Sequence, residues 1–277
     1  MKKSRKYPPQ ILPGNSLIDT HCHLNMRGYE DIDNIIDSAA KAGVDRIITV
    51  GIDVRSSQKA VDIACRFQNV YATIGIHPHS AAHVDNKTYA ILTSLYTAHS
   101  DKIVGYGEIG LDYAKEYAPR AIQRKEFRNQ LSLAKGLNLP VIIHDRDAHE
   151  DTMRILEQNK PYPAGGVMHC FSGDSELAAQ VIDLGFYISI PGIVTFNNSD
   201  KMQQVVINTE LDHIILETDG PFLAPAPYRG KQNKPEYLVY TAEKIAELKN
   251  LRLEETARQT TVNAENLFHL SPRKTLP

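Results

Sequence analysis

Two histidines, His21 and His23, follow the short apolar run Leu17-Ile18 in the stretch Asp19-Thr20-His21-Cys22-His23. Side chains alternate along an extended segment, so residues two apart face the same way and both imidazoles can grip one ion. Asp19 falls on that side as well. A lone His-x-His is as readily a pair of ordinary polar histidines, so a metal reading needs further ligands at matching places. Glu108 follows Ile103-Val-Gly-Tyr-Gly107, His144 follows Val141-Ile-Ile143, His169 follows Gly166-Val-Met168, and Asp219 closes Ile214-Ile-Leu-Glu-Thr218. Any one of these alone reads as a hydrogen-bonded loop residue, a cap or a turn, as Asp219 before Gly220-Pro221 would be. Six together, each at the end of an apolar run, read as one metal site.

Such a set is too large for a single tetrahedral catalytic zinc, which takes three protein ligands and keeps one open position. It suits two divalent ions about 3.5–4 Å apart, bridged by a carboxylate, with a water or hydroxide between them. Imidazole with carboxylate favours zinc, manganese, iron or nickel over an all-oxygen magnesium site. The sequence does not choose among them, and magnesium, manganese and zinc are the ions to test.

The elements that must carry these residues alternate short apolar strands with segments of helical period. Strands are expected at Leu17–Thr20, Arg46–Val50, Val70–Ile76, Ile103–Gly107, Pro140–Ile143, Gly166–Met168, Tyr187–Ile190 and His213–Glu217. Helices are expected between them at Tyr29–Ala42, Ser56–Phe67, Thr88–Ala98, Arg120–Gly136, Ala148–Gln158, Ser175–Leu184 and Asp200–Asn208, followed by Tyr237–Lys249 and Leu253–Phe268. Gly43, Gly136 and Gly185 are expected just past helix ends. Runs such as Val-Ile-Ile read as buried on both faces, which is the mark of a parallel sheet. Eight strands with intervening helices in about 250 residues fit an α/β (β/α)8 TIM barrel with an extra C-terminal helix. An open doubly wound sheet would want a glycine-rich phosphate loop after its first strand, and Thr20-His21-Cys22-His23 offers none. In a barrel the C-terminal strand ends share one face, which brings all six residues together.

The chain of 277 residues is 42% hydrophobic and carries a formal net charge of −2, so no global basic field advertises a nucleic-acid partner. A local basic patch would be invisible in that total. Three cysteines, Cys22, Cys65 and Cys170, show no zinc-finger spacing and suit a reducing, cytoplasmic setting. Cys22 and Cys170 read as small packing residues beside the histidines. The basic start Met1-Lys2-Lys3-Ser4-Arg5-Lys6 leads into Tyr7-Pro8-Pro9 rather than an apolar segment, so it reads as a solvated tail. No apolar stretch approaches the ~20 residues of a bilayer span. We expect a flexible tail over 1–15, a single hydrolase domain over 16–270, a short tail over 271–277, a monomer and no membrane association.

The motifs resemble those of the TatD family of metal-dependent hydrolases, within the amidohydrolase superfamily. The matching stretches are Asp19-Thr-His-Cys-His23, Gly75-Ile-His-Pro-His79, Gly107-Glu-Ile-Gly-Leu-Asp-Tyr113 and His144-Asp-Arg-Asp-Ala-His149. They continue with Met168-His-Cys-Phe-Ser-Gly173, Glu217-Thr-Asp-Gly-Pro221 and Asn263-Ala-Glu-Asn-Leu-Phe268. The resemblance implies a TIM barrel with divalent-metal-dependent DNase activity of the 3′–5′ exonuclease type. It implies that His21, His23, Glu108 and Asp219 hold one ion, and that Glu108 bridges to a second completed by His144 and His169. Asp219 would then position the attacking water and take its proton, with Glu108 the other catalytic carboxylate.

Beyond the ligands, His77 and His79 at the end of the third strand are expected to touch substrate. Arg146 is either a phosphate clamp, through its planar fork of donors, or a salt-bridging residue at a helix start. Asp112 and Tyr113 are expected to orient their loop. Glu217 is too costly to bury unpaired and is expected to support a ligand histidine, as Asp19 is. The loop Pro225–Pro235 is expected to rim the site, with Tyr228, Arg229 and Lys231 offering single-stranded DNA an aromatic face and positive charge. It departs from the family pattern Arg-Gly-Lys-Arg-Asn-Glu-Pro at Gln232 and Lys234, which bears on substrate and not on the ligands. The expected partner is DNA, single-stranded or at frayed ends. A metal-dependent amide or ester hydrolase acting on a lactone, a cyclic amide or an aminoacyl ester of tRNA is the alternative, and a metal-binding protein without catalysis is the third reading.

Overall fold

Val141-Ile142-Ile143 and Ile214-Ile215-Leu216 are apolar without alternation, and both faces of each run are buried. The computed structural model, which describes residues 9–12 and 14–272, shows why. Eight parallel strands lie in chain order in one sheet: β1 (Leu17–Cys22), β2 (Val44–Val50), β3 (Val70–Ile74), β4 (Ile103–Asp112), β5 (Val141–Arg146), β6 (Gly166–Met168), β7 (Phe186–Ile190) and β8 (Ile214–Leu216). The sheet curls until β8 meets β1. Their seam closes at the C-terminal end through a parallel bridge between Cys22 and Gly220. There the Asp219 N–H donates to the His21 carbonyl at 2.8 Å, and the His23 N–H donates to the Gly220 carbonyl at 2.7 Å. The expected (β/α)8 barrel is the fold observed.

Helices α1 (Ile32–Ala42), α2 (Val54–Arg66), α3 (Thr88–Ala98), α4 (Arg120–Gly136), α5 (His149–Gln158), α6 (Ser175–Asp183), α7 (Asp200–Asn208), α8 (Leu238–Lys249) and α9 (Leu253–Phe268) complete the described elements. One cluster of buried side chains, including Ile47, Ile143, Val61, Phe127 and Val181, fills the layer between strands and helices. A second unites Ile18, Ile48, Ile142, Val167 and Ile215 from the strands with Leu267 and Phe268, so the end of α9 plugs the barrel. Arg46 fixes α9 by its ion pair with Glu265 at 2.6 Å.

Several expected boundaries move, each for a local reason. The first helix starts at Ile32 rather than Tyr29, because the Asp31 carboxylate accepts the Asn34 N–H at 3.1 Å and caps it. Tyr29 is buried instead, its hydroxyl donating to the Asn233 carbonyl at 2.7 Å. Gly136 is the last residue of α4, and the left-handed position falls on Asn138. The fourth and fifth strands run on to Asp112 and Arg146, because Gly110, Leu111 and Asp112 pair with His144, Asp145 and Arg146. Glu108 and His144 therefore lie within strands and not after them. The expected tails over 1–15 and 271–277 fall largely outside the described residues, although Ile11 packs against the core. Among the described residues no helix is long and apolar enough to cross a membrane.

Candidate metal centre

Five strands and their continuations deliver the six expected ligands to one end of the barrel. His21 lies in β1 and His23 one residue past it, while Asp219 follows β8 and is tied to β1 by its backbone bond to His21. Glu108 sits where the β4–β5 register shifts between Tyr106 and Ile109, and its N–H turns to the Gly51 carbonyl at 3.1 Å. That irregularity swings its carboxylate away from ladder pairing and towards the mouth of the barrel.

Four side chains form the first cluster. His21 Nε2 and His23 Nε2 face each other at 3.3 Å. Glu108 Oε2 lies 3.5 Å from the former and 4.0 Å from the latter, and Asp219 Oδ1 lies 3.9 and 3.4 Å from them. A four-coordinate ion with bonds of ~2.0–2.1 Å has ligand–ligand edges of about 3.3–3.4 Å, so this donor set fits a divalent cation. Two imidazole nitrogens aimed at each other also need a shared cation or proton between them.

The second cluster gathers on the other oxygen of the same carboxylate. Glu108 Oε1 lies 2.5 Å from His144 Nδ1, 3.0 Å from His169 Nε2 and 3.5 Å from His77 Nε2. His77, expected to meet substrate, is thus brought against Glu108, with its ring edge-on to His144 at 4.4 Å between centroids. His79 stands further out, its Nε2 2.8 Å from Asp112 Oδ2. Asp112 is buried and receives His79, His144 and the Lys115 N–H, which makes it the anchor of the loop after β4.

Behind the clusters, Glu217 Oε1 accepts the Cys170 N–H at 2.7 Å and lies 3.3 Å from His169 Nδ1. Glu217 also groups with His21 and His169 in a third set of closely spaced ligand atoms. Asp19 binds the neighbouring strand instead of an imidazole, its carboxylate accepting the Thr218 N–H at 2.9 Å and the Thr218 hydroxyl at 2.6 Å. It holds β8, and with it Asp219, against β1.

Burial and charge set the protonation states. Burial, with His169 nearby, pushes the His21 pKa down to about 4, leaving a neutral ring with a free lone pair. Burial opposes the charged form of His169 too, but the Glu217 and Glu108 carboxylates outweigh it and raise that pKa well above the usual value. Burial would raise Glu108, yet the imidazoles of His169, His77 and His144 hold it well below the carboxylate range. The carboxyl shared by the two clusters is therefore ionised and acceptor-only, the state that ligation requires.

A cavity of about 580 Å³ opens above the clusters, lined by His23, His77, His79, Glu108, His144, His169 and Asp219, with Arg146 at its edge. Tyr228, Arg229 and Lys231 are not among its lining residues. Tyr228 stacks on Tyr237 at 3.9 Å, Arg229 lies over Phe196 at 4.3 Å and Lys231 stands 5.9 Å from the Tyr228 ring. The sequence reading missed Lys115, Met26, Ile193 and Phe222, which do line the cavity. An exposed lysine or phenylalanine in a loop carries no sequence signal until the strand order shows which loops meet.

Comparison with known proteins follows the same lines. Residues 18–269 match the family model for TatD related DNase. The metal-dependent hydrolase YabD of Bacillus subtilis strain 168 is 44% identical over 92% of this chain and 100% of its own. The metal-dependent hydrolase YcfH of Escherichia coli K12 is 38% identical over 92% of this chain and 96% of its own. The crystal structure of YJJV, a TatD homolog from Escherichia coli K12, superposes with a TM-score of 0.88 at 30% identity, covering 92% of this chain and 98% of that one. With its barrel, its buried histidines and its carboxylates at one mouth, the chain belongs to the TatD family of metal-dependent hydrolases.

Proposed function

We propose that this hydrolase is a phosphodiesterase that removes nucleotides from the 3′ end of DNA, single-stranded or frayed, with two divalent ions in its centre. The observation that carries the reading is the division of Glu108, whose two oxygens face separate nitrogen clusters. His21, His23, Glu108 and Asp219 would hold one ion, and Glu108, His144 and His169 the other, with His77 beside the second. When bound, such ions supply Lewis acidity to the phosphoryl oxygens and make water acidic near neutral pH.

The chain's own groups do the rest. Water oxygen bonds to phosphorus as the bond from phosphorus to the 3′ oxygen breaks, yielding a nucleotide 5′-monophosphate and a new 3′ hydroxyl. Asp219, whose side chain is 14% exposed at the cavity floor, takes the proton of the attacking water. The departing 3′ oxygen is protonated from solvent through the open mouth. Arg146, exposed at the rim, makes no hydrogen bond or ion pair through its side chain among the described residues, so its guanidinium is free for phosphate.

The test is incubation of end-labelled single- and double-stranded DNA with magnesium, manganese or zinc, beside an ester and lactone panel. Release of mononucleotides from the 3′ end is the expected result. Hydrolysis of lactones or esters with DNA left intact in every metal overturns the reading.

A further inference from the structure

The wall of the cavity differs in chemistry from side to side. Strands four positions apart in an eight-stranded barrel stand opposite each other, so the loops after β4 and β8 face across the mouth. After β8 comes Phe222, 49% exposed although it lines a concave site, with Met26 and Ile193 beside it on the neighbouring β1 and β7 loops. Its backbone is fixed by the N–H of Phe222 donating to the Asp219 carbonyl at 2.9 Å. Its ring meets His23 edge-on, centroids 6.2 Å apart and planes at 71°, and is half open to solvent.

On the far side, Lys115 follows β4 and Arg146 ends β5, and both are exposed in the cavity wall. Two carboxylates that line the same wall, Asp112 and Asp145, are already engaged. Asp112 receives His79, His144 and the Lys115 N–H, and Asp145 receives His149 and Thr152. Among the described residues neither cationic side chain has an ion-pair partner.

We infer that the cavity grips its substrate at two ends: Phe222 stacks on the terminal base, and Lys115 with Arg146 takes the phosphate next to the scissile one. This deepens the phosphodiesterase reading and rests on it. A flat apolar group and an anion on opposite sides of a reacting centre are what a nucleic-acid end presents, and a simple ester or lactone presents only one of them. Stacking on Phe222 requires an unpaired base, which selects single strands and frayed ends.

The experiment compares dinucleotides carrying or lacking a 5′ phosphate, and ends carrying or lacking the terminal base. For the wild type, kcat/KM is expected to be about tenfold higher with the extra phosphate and about tenfold higher with the base. The Lys115→Ala/Arg146→Ala double variant should collapse the phosphate ratio towards one and keep the base ratio; Phe222→Ala should do the reverse. Wild-type ratios near one, or ratios that survive the substitutions, overturn the inference while leaving the phosphodiesterase standing. Binding is read separately by quenching of a 3′-terminal 2-aminopurine in chelator. Quenching that is lost in Phe222→Ala, without cleavage in any metal, would keep the base subsite and reject the reaction. Absence of wild-type quenching overturns the base subsite and with it the two-ended grip.

Discussion

Glu108 Oε1 and His144 Nδ1 meet at 2.5 Å across the β4–β5 pairing. The other oxygen of that carboxylate reaches His21 at 3.5 Å. One side chain therefore joins both donor clusters, and its ionisation depends on the imidazoles around it.

Glu108→Gln keeps the shape and removes the charge. Metal retained after dialysis, measured by atomic emission, is expected to fall below about half the wild-type content, since in the proposed two-ion centre Glu108 would serve both ions. Chelation of the wild type should lower its Tm, and the variant should respond less. Equal metal content in the two proteins would remove Glu108 from the bridge.

In the proposed reaction Asp219 also takes the proton of the attacking water, so Asp219→Asn should separate chemistry from folding. Its side chain lies at the cavity floor, and the backbone bonds that close the seam do not use the carboxylate. A fall in kcat of about 10²–10⁴, with far-UV dichroism unchanged, is expected for loss of a general base. Cleavage at the wild-type rate would assign the activity to another group.

Most of the element pattern was legible in the sequence, and the exception at the site has a long-range cause. The bounds of α3, α4, α7 and α9 coincide with their helical periodicity, because amphipathic spacing is a local property. The end of β4 does not, since Glu108 and Asp112 interrupt an apolar run and read as its end. They are buried in the strand only because histidines 30 or more residues away in sequence compensate them. The loop Pro225–Pro235 shows the converse. Its aromatic and basic residues invite a substrate, yet Tyr228 and Arg229 are occupied by Tyr237 and Phe196. Which loop faces the cavity follows from strand order and is not written in composition.

Asp19 should give stability a pH dependence. Burial raises its pKa from 3.8 to about 7 despite the Thr218 hydrogen bonds. The folded chain then holds a proton that the unfolded chain releases, so stability is fully present below about pH 4 and is lost as pH rises towards 7. At about 1.4 kcal/mol per unit, this amounts to about 4 kcal/mol across the window. Asp19→Asn removes the titration, so urea midpoints of the metal-free proteins should shift in the variant's favour between pH 5 and pH 8. Parallel profiles would mean that Asp19 is ionised throughout.

Two glycines separate a fold requirement from a tolerated one. Gly110 has φ +143°, and a β-carbon there would run into the His144 carbonyl oxygen in the adjacent strand. Gly136, at the end of α4, has open space where its β-carbon would be, and its φ is ordinary. Gly110→Ala must push β4 from β5 at the level of His144, which is expected to cost about 1–3 kcal/mol or more and to displace that imidazole from Glu108. Gly136→Ala lowers the entropy of the unfolded chain without a clash and is expected to gain about 0.4–1 kcal/mol. Urea unfolding measures both, and metal content distinguishes them further, since only the Gly110 variant should lose metal. A Gly110→Ala protein with wild-type stability and metal content would mean that the β4–β5 pairing does not position His144.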